Sequence, residues 1–234
     1  MSRIFGLIPA AGSGIRMGWR MPKQYMRLGH QTMLEHSVEA LLSSKSVEAV
    51  MVIVSGTDAH HKSLYWRERV IYASVGGVTR AETVFNGLKA LSVTLGAVAD
   101  DWVLVHDAAR PCLSQLDLHV LIDSLKNEEV GGLLAMRLSD TLKRDNSVSQ
   151  VAITVPREGL WRAATPQMFR IGLLRRALSD PQARAAVTDE ASAVERLGVN
   201  PHLVEGLPTN IKVTHSEDSD LAKAILRMQG RIKE

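Results

Sequence analysis

The sequence contains a single cysteine, Cys112, among 234 residues. An intramolecular disulfide is therefore excluded, and a reducing compartment, the cytoplasm, is expected. The sequence also lacks an uninterrupted apolar run approaching the roughly 20 residues that a membrane-spanning helix needs. Its N-terminal apolar run is too short for a secretory signal, and glycine and arginine interrupt the residues after it. These absences predict a cytoplasmic protein without a membrane segment.

Blocks of basic residues are absent as well. The formal net charge is +3, and basic residues are scattered singly or in pairs such as Arg175 and Arg176. This distribution argues against a nucleic-acid-binding surface and suits a small anionic ligand. The sequence shows no internal repeat, low-complexity tract or linker. We therefore expect one domain over residues 1–234, with the 45% hydrophobic content of an ordinary globular protein.

Strand-like and helix-like segments alternate through the first 136 residues. The strand candidates are residues 4–9, 47–54, 69–75, 102–105 and 131–136. The helix candidates are residues 33–42, 79–91 and 116–125. This alternation predicts right-handed crossovers and an α/β fold with a mainly parallel sheet flanked by helices.

The pattern changes after Met136. Residues 137–160 contain two strand-like pieces around the turn-prone Asp145-Asn146-Ser147, which predicts an antiparallel hairpin inserted into the domain. Its outer stretch has too few apolar residues for a core of its own, so such a hairpin is most easily stabilised by packing on another subunit. The alternative is a surface hairpin without a partner. The remaining chain predicts helices at 169–178, 189–197 and 218–228 and short strands at 202–205 and 210–213.

A glycine-rich loop follows the first predicted strand, where open α/β sheets bind ligands. Residues 8–18 read IPAAGSGIRMG, and residues 22–25 read PKQY. Glycine lacks a Cβ, so backbone N–H groups can approach phosphate oxygens. Arg16 offers a planar fork of donors and Lys23 a compact charge, both suited to a triphosphate.

Two well-known phosphate loops do not fit this spacing. A P-loop requires G-x-x-x-x-G-K-[ST], but Gly12 and Gly14 are too close together and no Lys-Ser or Lys-Thr follows Gly18. The dinucleotide fingerprint G-x-G-x-x-G fails because one residue too many follows Gly14. The loop is therefore neither of these two types; its cations suit a triphosphate, and a structural turn is the alternative. No Ser-His-Asp or Cys-His set is evident in the sequence either.

Taken with later segments, the loop resembles the 2-C-methyl-D-erythritol 4-phosphate cytidylyltransferase family of nucleotidyltransferases. The resemblance covers nearly the whole chain and rests on PAAGSGIRMG, PKQY, GGVTRAETV, VHDAARP, DTLKR, TVPREGLW, ATPQMF, TDEASAVE, LVEG and NIKVT. It implies a Rossmann-like nucleotidyltransferase fold with a protruding antiparallel β-arm, residues 137–160, used for dimerisation. It also implies CTP as co-substrate, Mg²⁺ and a homodimer, with no nucleic-acid or membrane partner.

The implied reaction is attack by a sugar-alcohol phosphate on the α-phosphorus of CTP, with pyrophosphate leaving. A phosphate monoester has its second pKa near 6 and is largely a dianion at neutral pH, so it needs no general base. Catalysis then rests on positioning and charge neutralisation. The resemblance assigns this work to four cations: Arg16, Lys23, Arg157 and Lys212.

The resemblance also implies a nucleotide-binding set: Ala10, Ala11, Gly12, Gly14, Gly77, Thr83 and Ala108. Cytosine would be recognised by backbone groups of Ala10 and Ala11 and by the Gly76-Gly77 turn with Thr83. Family members commonly carry an aspartate or similar polar residue after the double glycine, whereas Val78 stands there. Because valine cannot accept a hydrogen bond from the cytosine amine, base recognition there would use the backbone.

Asp107 follows a buried strand and by resemblance binds Mg²⁺ or a substrate hydroxyl, since hard cations prefer carboxylate and phosphate oxygens. The acceptor site would comprise Thr165, Thr188 and Lys212 of one subunit. Thr141 and Arg157 would reach that site from the neighbouring subunit.

Some expectations remain alternatives. The acceptor could be another polyol phosphate, such as ribitol 5-phosphate, and the chain could be a non-catalytic nucleotide-binding module. Arg110 could pair with Asp107 or a phosphate. His106, His60 and His61 are expected to be structural or solvated, and Trp161 is expected in the core. The closing helix predicts a stand-alone transferase.

Overall fold

A computed structural model describes residues 2–12, 21–64 and 68–233. The strands of the described residues are β1 (Ile4–Pro9), β2 (Arg27–Leu28), β3 (Gln31–Thr32), β4 (Val47–Ile53), β5 (Val70–Ala73), β6 (Trp102–Val105), β7 (Gly131–Arg137), β8 (Leu142–Asp145), β9 (Val151–Val155), β10 (Trp161–Arg170) and β11 (His202–Glu205). The α-helices are α1 (Met33–Leu42), α2 (Arg80–Leu95), α3 (Gln115–Leu125), α4 (Ile171–Ala177), α5 (Pro181–Ala186), α6 (Glu190–Glu195) and α7 (Asp218–Met228).

Seven strands form one sheet in the order β11-β7-β10-β6-β1-β4-β5. Every neighbouring pair is parallel except those made by β10, which runs antiparallel to β6 and β7. The predicted α/β fold with a mainly parallel sheet is therefore confirmed. The carboxyl ends of β1 and β6 lie side by side, because Leu7 pairs with Val105.

Both faces of the sheet are buried under helices. Along β1, Ile4 and Ile8 belong to the apolar cluster that α1 and α3 cover. Phe5 and Leu7 point to the opposite cluster, which α2, α4 and α6 cover. Successive strand residues face opposite sides, so an apolar run such as IFGLIP indicates a strand buried on both faces. A third cluster seats α7 against β2.

Strand β10 was not predicted from the sequence. Its middle contains Pro166, and proline in a run argues against a central strand. The structure accommodates it with a shift of register between Ala163 and Gln167 in the pairing with β7. The prediction of a helix from residue 169 was wrong at its start, because β10 continues to Arg170 before α4 begins. Trp161, expected in the core, is only half-buried, with the Arg137 guanidinium 4.1 Å from its ring centroid.

The predicted strand at residues 210–213 is also wrong. This segment forms no ladder and is held by separate contacts, such as Val213 N donating to the Ala109 carbonyl at 2.8 Å. Its alternating apolar side chains arise because Val213 packs into the cluster around α7, which gives a strand-like pattern without strand pairing.

Between β7 and β10 lies a separate two-stranded sheet. Strands β8 and β9 pair antiparallel, with Leu142 opposite Val155. Val151 is 63% exposed and Ile153 is 49% exposed. The use of this hairpin as a dimerisation arm stays a prediction. Among the described residues, no helix has the length and apolar character needed to span a membrane.

Candidate active site

The residues that follow β1 and β6 line a cavity of about 160 Å³ at the carboxyl edge of the sheet. Open α/β sheets bind ligands at this edge. Six of the predicted site residues contribute to its lining: Ala10, Gly12, Lys23, Asp107, Ala108 and Lys212. Pro9, Gln24, Arg80 and Ala109 complete the lining. Segments far apart in sequence are thus brought together around one small, polar space.

Asp107 is the central anion of this cavity. Its Oδ1 accepts from Arg80 Nε at 2.9 Å, and its Oδ2 accepts from Lys212 Nζ at 2.9 Å. Arg110 Nε lies 3.9 Å from the same Oδ2. Burial alone would raise the pKa of Asp107, but the charges of Arg80 and Lys212 outweigh it and hold that pKa well below its usual range. The carboxylate therefore stays ionised in the presence of these cations.

Arg80 joins Asp107 to a second acidic residue. Its Nη1 and Nη2 donate to Glu190 Oε1 and Oε2 at 2.6 and 3.0 Å. Glu190 is only 2% exposed, and burial raises its pKa against the opposing effect of the Arg80 charge. The two carboxylates raise the pKa of the Arg80 guanidinium despite its burial, so it stays charged.

A buried hydrogen-bonded network supports the Asp107 backbone. Asp107 N donates to Thr165 Oγ1 at 3.0 Å, and this hydroxyl lies 3.0 Å from His106 Nδ1. His106 Nε2 lies 3.0 Å from the Arg110 carbonyl and must carry the proton, so Nδ1 accepts from Thr165. Burial lowers the pKa of His106 to about 4. His106 is thus neutral and structural, as predicted.

The same network ties down the segment that carries Lys212. Asn210 Nδ2 donates to the Thr165 carbonyl at 2.8 Å, and Arg110 Nη1 donates to the Asn210 carbonyl at 2.8 Å. The Arg110 side chain therefore lies between Asp107, 3.9 Å from its Nε, and the segment that carries Lys212. Because residues 210–213 have no ladder, these side-chain bonds fix their position.

A second cavity of about 130 Å³ adjoins the first. Thr165 and Thr188 line it, together with Arg110, Gln167 and neighbouring residues. Arg80, Asp107 and Lys212 line both cavities, and we call these three side chains the shared wall. Two ligands, one on each side, would therefore meet at a group of two cations and one anion.

The predicted base-recognition groups also lie together. A Cβ built on Gly76 would overlap the Ala11 Cβ, so only glycine permits this approach. Gly77 N donates to Thr83 Oγ1 at 3.0 Å. Val78 is 97% exposed, while its backbone N donates to Glu82 Oε2 at 2.8 Å. Thr79 caps α2 by accepting from Glu82 N, but the reciprocal bond of a full capping box goes to Val78 instead.

Lys23 and Gln24 lie in the short turn after the glycine loop. Lys23 Nζ donates to the Val213 carbonyl at 3.2 Å, and Gln24 Nε2 donates to the carbonyls of Ala10 and Gly12 at 2.8 and 3.1 Å. Gln24 thereby fixes the path of the loop as it leaves β1. The predicted residues Gly14 and Arg16 lie outside the described residues.

Thr141 and Arg157 do not line the two cavities joined by the shared wall. Both are exposed, and Arg157 Nη1 donates to the Ser139 carbonyl within the same hairpin. Eight residues of the predicted set line the two cavities: Ala10, Gly12, Lys23, Asp107, Ala108, Thr165, Thr188 and Lys212. Ala11, Gly77 and Thr83 line neither cavity, and Thr141 and Arg157 are at the surface.

Sequence reasoning missed Arg80, Glu190, Gln24 and Asn210. Each is a polar residue inside one of the motifs that carry the family resemblance. Its place in that motif is the sequence feature that could have identified it as a site residue. In the part of the chain that the structure describes, no group of three or more histidine, cysteine, aspartate or glutamate side chains could hold a metal ion. A larger cavity of about 500 Å³, lined by residues such as Glu39 and Arg231, contains none of the predicted site residues.

Comparison with known proteins gives a consistent result. A family model described as 2-C-methyl-D-erythritol 4-phosphate cytidylyltransferase matches residues 4–228. Curated proteins of that name from Laribacter hongkongensis and Nitrosospira multiformis are 51% and 48% identical to this chain. The alignments cover 97% of this chain in both cases, and 97% and 99% of those proteins.

Solved structures agree in fold. A crystal structure of 4-diphosphocytidyl-2C-methyl-D-erythritol synthase is 43% identical, with a TM-score of 0.85, and the match covers 97% of this chain and 99% of that one. The 2-C-methyl-D-erythritol 4-phosphate cytidylyltransferase of Francisella tularensis is 34% identical, with a TM-score of 0.81 and coverage of 96% and 100%.

Proposed function

This chain belongs to the 2-C-methyl-D-erythritol 4-phosphate cytidylyltransferase family, and from that premise we propose how its residues divide the work. The enzyme transfers CMP from CTP to 2-C-methyl-D-erythritol 4-phosphate and releases pyrophosphate, in isoprenoid precursor biosynthesis. The observation that carries the proposal is the shared wall between two cavities. Each substrate occupies one cavity, and the reacting phosphates meet at the wall.

CTP occupies the cavity beside the glycine loop. Its phosphates lie against Ala10, Gly12 and Lys23. By family resemblance, Gly14 and Arg16, which follow Gly12 in the sequence, also bind the nucleotide. Its base lies toward Ala11 and the Gly76-Gly77 turn, with Thr83 and Ala108 on either side. The support for this position is that the turn lies beside Ala11, with Gly76 close to the Ala11 side chain. The turn is held there by N–H groups that donate within the protein, from Gly76 to the Val54 carbonyl and from Gly77 to Thr83 Oγ1.

The acceptor occupies the cavity lined by Thr165 and Thr188. Its phosphate dianion approaches Lys212, which is half exposed and already bonded to an oxyanion, Asp107. Thr165 can only accept a hydrogen bond from the acceptor, because its proton is directed to His106. Catalysis rests on Lys23, Arg16 and Lys212 neutralising the charge that gathers at the α-phosphorus.

Mg²⁺ fits this site on one condition. Magnesium is usually held by one or two carboxylates together with substrate phosphates and water, and Asp107 supplies one carboxylate. Both Asp107 oxygens are bonded to cations, so one contact must exchange when the ion binds. When bound, Mg²⁺ would withdraw charge from the triphosphate. Asp107 would hold it, and Lys212 would bind the acceptor phosphate.

We further propose a cytoplasmic homodimer joined through the arm at residues 137–160. The support is the exposed apolar surface of β9, with Val151 and Ile153 facing solvent on a two-stranded sheet. Such a ribbon is marginal alone and is stabilised by packing on another surface. Thr141 and Arg157 would then complete the acceptor site of the neighbouring subunit. The single, buried Cys112 is consistent with a reducing cytoplasm.

Subunit mixing tests the shared-site arrangement. Lys23→Ala and Arg157→Ala homodimers should each be nearly inactive. Mixed dimers should regain up to one native site, because one subunit supplies Lys23 and the other supplies Arg157. Activity is measured by pyrophosphate release with CTP, Mg²⁺ and acceptor after unfolding and refolding the two variants together. Mixtures no more active than the separate variants, with dimers verified by light scattering, would refute an Arg157 contribution across the interface.

A further inference from the structure

Arg80 occupies a position that no other described residue of the site shares. It lines the two cavities joined by the shared wall and also a third cavity of about 140 Å³, between α2 and α6. Glu190 lines only the third of these. Arg80 therefore connects the reacting centre to a carboxylate that lies behind it.

Glu190 holds the Arg80 guanidinium in one orientation. The two hydrogen bonds between them form a parallel fork, which is the geometry that favours arginine over lysine. Glu190 itself is fixed, because it is the first residue of α6 and follows Asp189, the N-cap that forms a capping box with Ser192. With both Nη atoms engaged by Glu190, Nε remains to donate to Asp107.

The two cations that bond Asp107 directly are therefore unequal, while Arg110 Nε lies farther away, 3.9 Å from Oδ2. Arg80 is anchored from behind by a buried carboxylate. Lys212 is 44% exposed in its side chain and lies on a segment without a ladder. A ligand that competes for Asp107 will displace the exposed contact at Oδ2 before the anchored contact at Oδ1.

We infer that Arg80 and Glu190 are positioning residues: Glu190 orients Arg80, and Arg80 keeps Oδ1 of Asp107 bonded so that Oδ2 is presented to the incoming metal–nucleotide complex. The inference deepens the proposed function and rests on the role of Asp107 given there. It requires neither residue to contact substrate. A hydrogen-bonding partner behind a metal-binding carboxylate typically changes metal affinity by about 10–100-fold.

Calorimetric titration with CTP, without acceptor, tests this role independently of turnover. Each protein is titrated once with Mg²⁺ and once with EDTA, and the ratio of the two affinities gives the gain due to the metal. Glu190→Gln keeps the shape but removes the charge that orients Arg80. It should reduce that gain by about 10-fold while leaving metal-free CTP affinity within about twofold. Arg80→Lys, which cannot form the fork, should likewise reduce the gain due to the metal.

Glu195→Gln is the matched control, since Glu195 ends the same helix and is exposed; it should retain the full gain. The inference would be overturned if Glu190→Gln and Arg80→Lys kept the full gain in CTP affinity due to the metal. It would also be overturned if CTP affinity fell equally with and without the metal, because Arg80 would then be a direct nucleotide ligand. Thermal unfolding shows whether Glu190→Gln is misfolded. If it is, the result for Arg80→Lys alone decides whether the inference holds. Asp107→Asn separates the proposals: a full gain in that variant refutes the metal role of Asp107 itself.

Discussion

Lys23 lines the cavity beside the glycine loop, where we propose that CTP binds, with Nζ 3.2 Å from the Val213 carbonyl. We predict that Lys23→Ala lowers kcat by about 100-fold or more, because a cation that stabilises developing charge is removed from a low-dielectric site. The measurement is steady-state pyrophosphate release at saturating CTP. Lys62→Ala, at an exposed lysine outside the site, should leave kcat unchanged. A near-normal kcat in Lys23→Ala would remove Lys23 from the mechanism.

His106 makes stability depend on pH. Its pKa is lowered from the ordinary value near 6.5 to about 4 by burial, so the unfolded chain binds a proton that the folded chain does not between those values. Its stabilising contribution is present above pH 6.5 and is lost as pH falls toward 4. Each pH unit within that window should cost about 1.4 kcal/mol at most.

Urea unfolding at pH 7 and pH 5 measures this effect. The loss of stability between the two pH values should be smaller in His106→Gln than in the native protein, because glutamine does not titrate. His119→Gln, at an exposed position, should keep the native pH dependence. An unchanged pH dependence in His106→Gln would mean that other groups cause it.

Asp107, Lys23 and Lys212 could be predicted from sequence because each falls inside a motif and has the charge that the chemistry needs. Arg80 and Glu190 also fall inside motifs, but their pairing could not be predicted, since it spans 110 positions and only packing brings the two side chains together. The hydroxyl of Thr165 was predicted as a ligand group. Its bond to His106, which leaves it only an acceptor, depends on a histidine tautomer that no sequence pattern specifies.

Among the elements, the 210–213 segment depends most on single contacts. We predict that Asn210→Ala lowers stability by about 1–3 kcal/mol, because the Thr165 carbonyl loses its buried donor. It should also lower kcat by about 10-fold, since Lys212 loses its fixed position. A tenfold lower rate corresponds to an activation free energy higher by about 1.4 kcal/mol. Urea unfolding and steady-state kinetics measure the two effects. Asn127→Ala, at an exposed asparagine after α3, is the control. Normal kinetics in a destabilised Asn210→Ala protein would show that Asn210 is not needed to position Lys212.

The parallel strands were predictable because their apolar runs are continuous and alternate with amphipathic helices. Strand β10 was not, because Pro166 breaks its pattern and its register shift appears only in the pairing with β7. At residues 210–213 the error was the reverse, because a strand was predicted where none forms. Their side chains alternate like those of a strand, but their backbone groups bond to separate partners and not to a neighbouring strand. The local sequence pattern therefore identified the regular strands and helices. It failed where tertiary contacts, and not a regular pattern of strand hydrogen bonds, determine the backbone.

At the scale of the whole molecule, ligand binding should be visible in thermal stability. A ligand at 100 times its Kd stabilises the folded state by about 2.7 kcal/mol. For a chain of this size we expect CTP with Mg²⁺ to raise Tm by about 5–10 °C. Scanning calorimetry with and without nucleotide gives the shift. At the same CTP concentration, Lys23→Ala should show a smaller shift, and an equal shift would contradict the assigned contact.

Strand β10 runs against its neighbours, so its beginning, not its end, lies at the ligand edge. Trp161 pairs with Arg137 at the end of β7, and Gln167 pairs with Val105 at the end of β6. The chain between Arg137 and Trp161 thus leaves and re-enters the sheet at one point. Its length and sequence can vary during evolution or by engineering without shifting the register that sets Thr165 beside Asp107. If the proposed dimer forms through this hairpin, exchanging it with one from a relative should change which subunits pair while the cavities beside Asp107 stay intact.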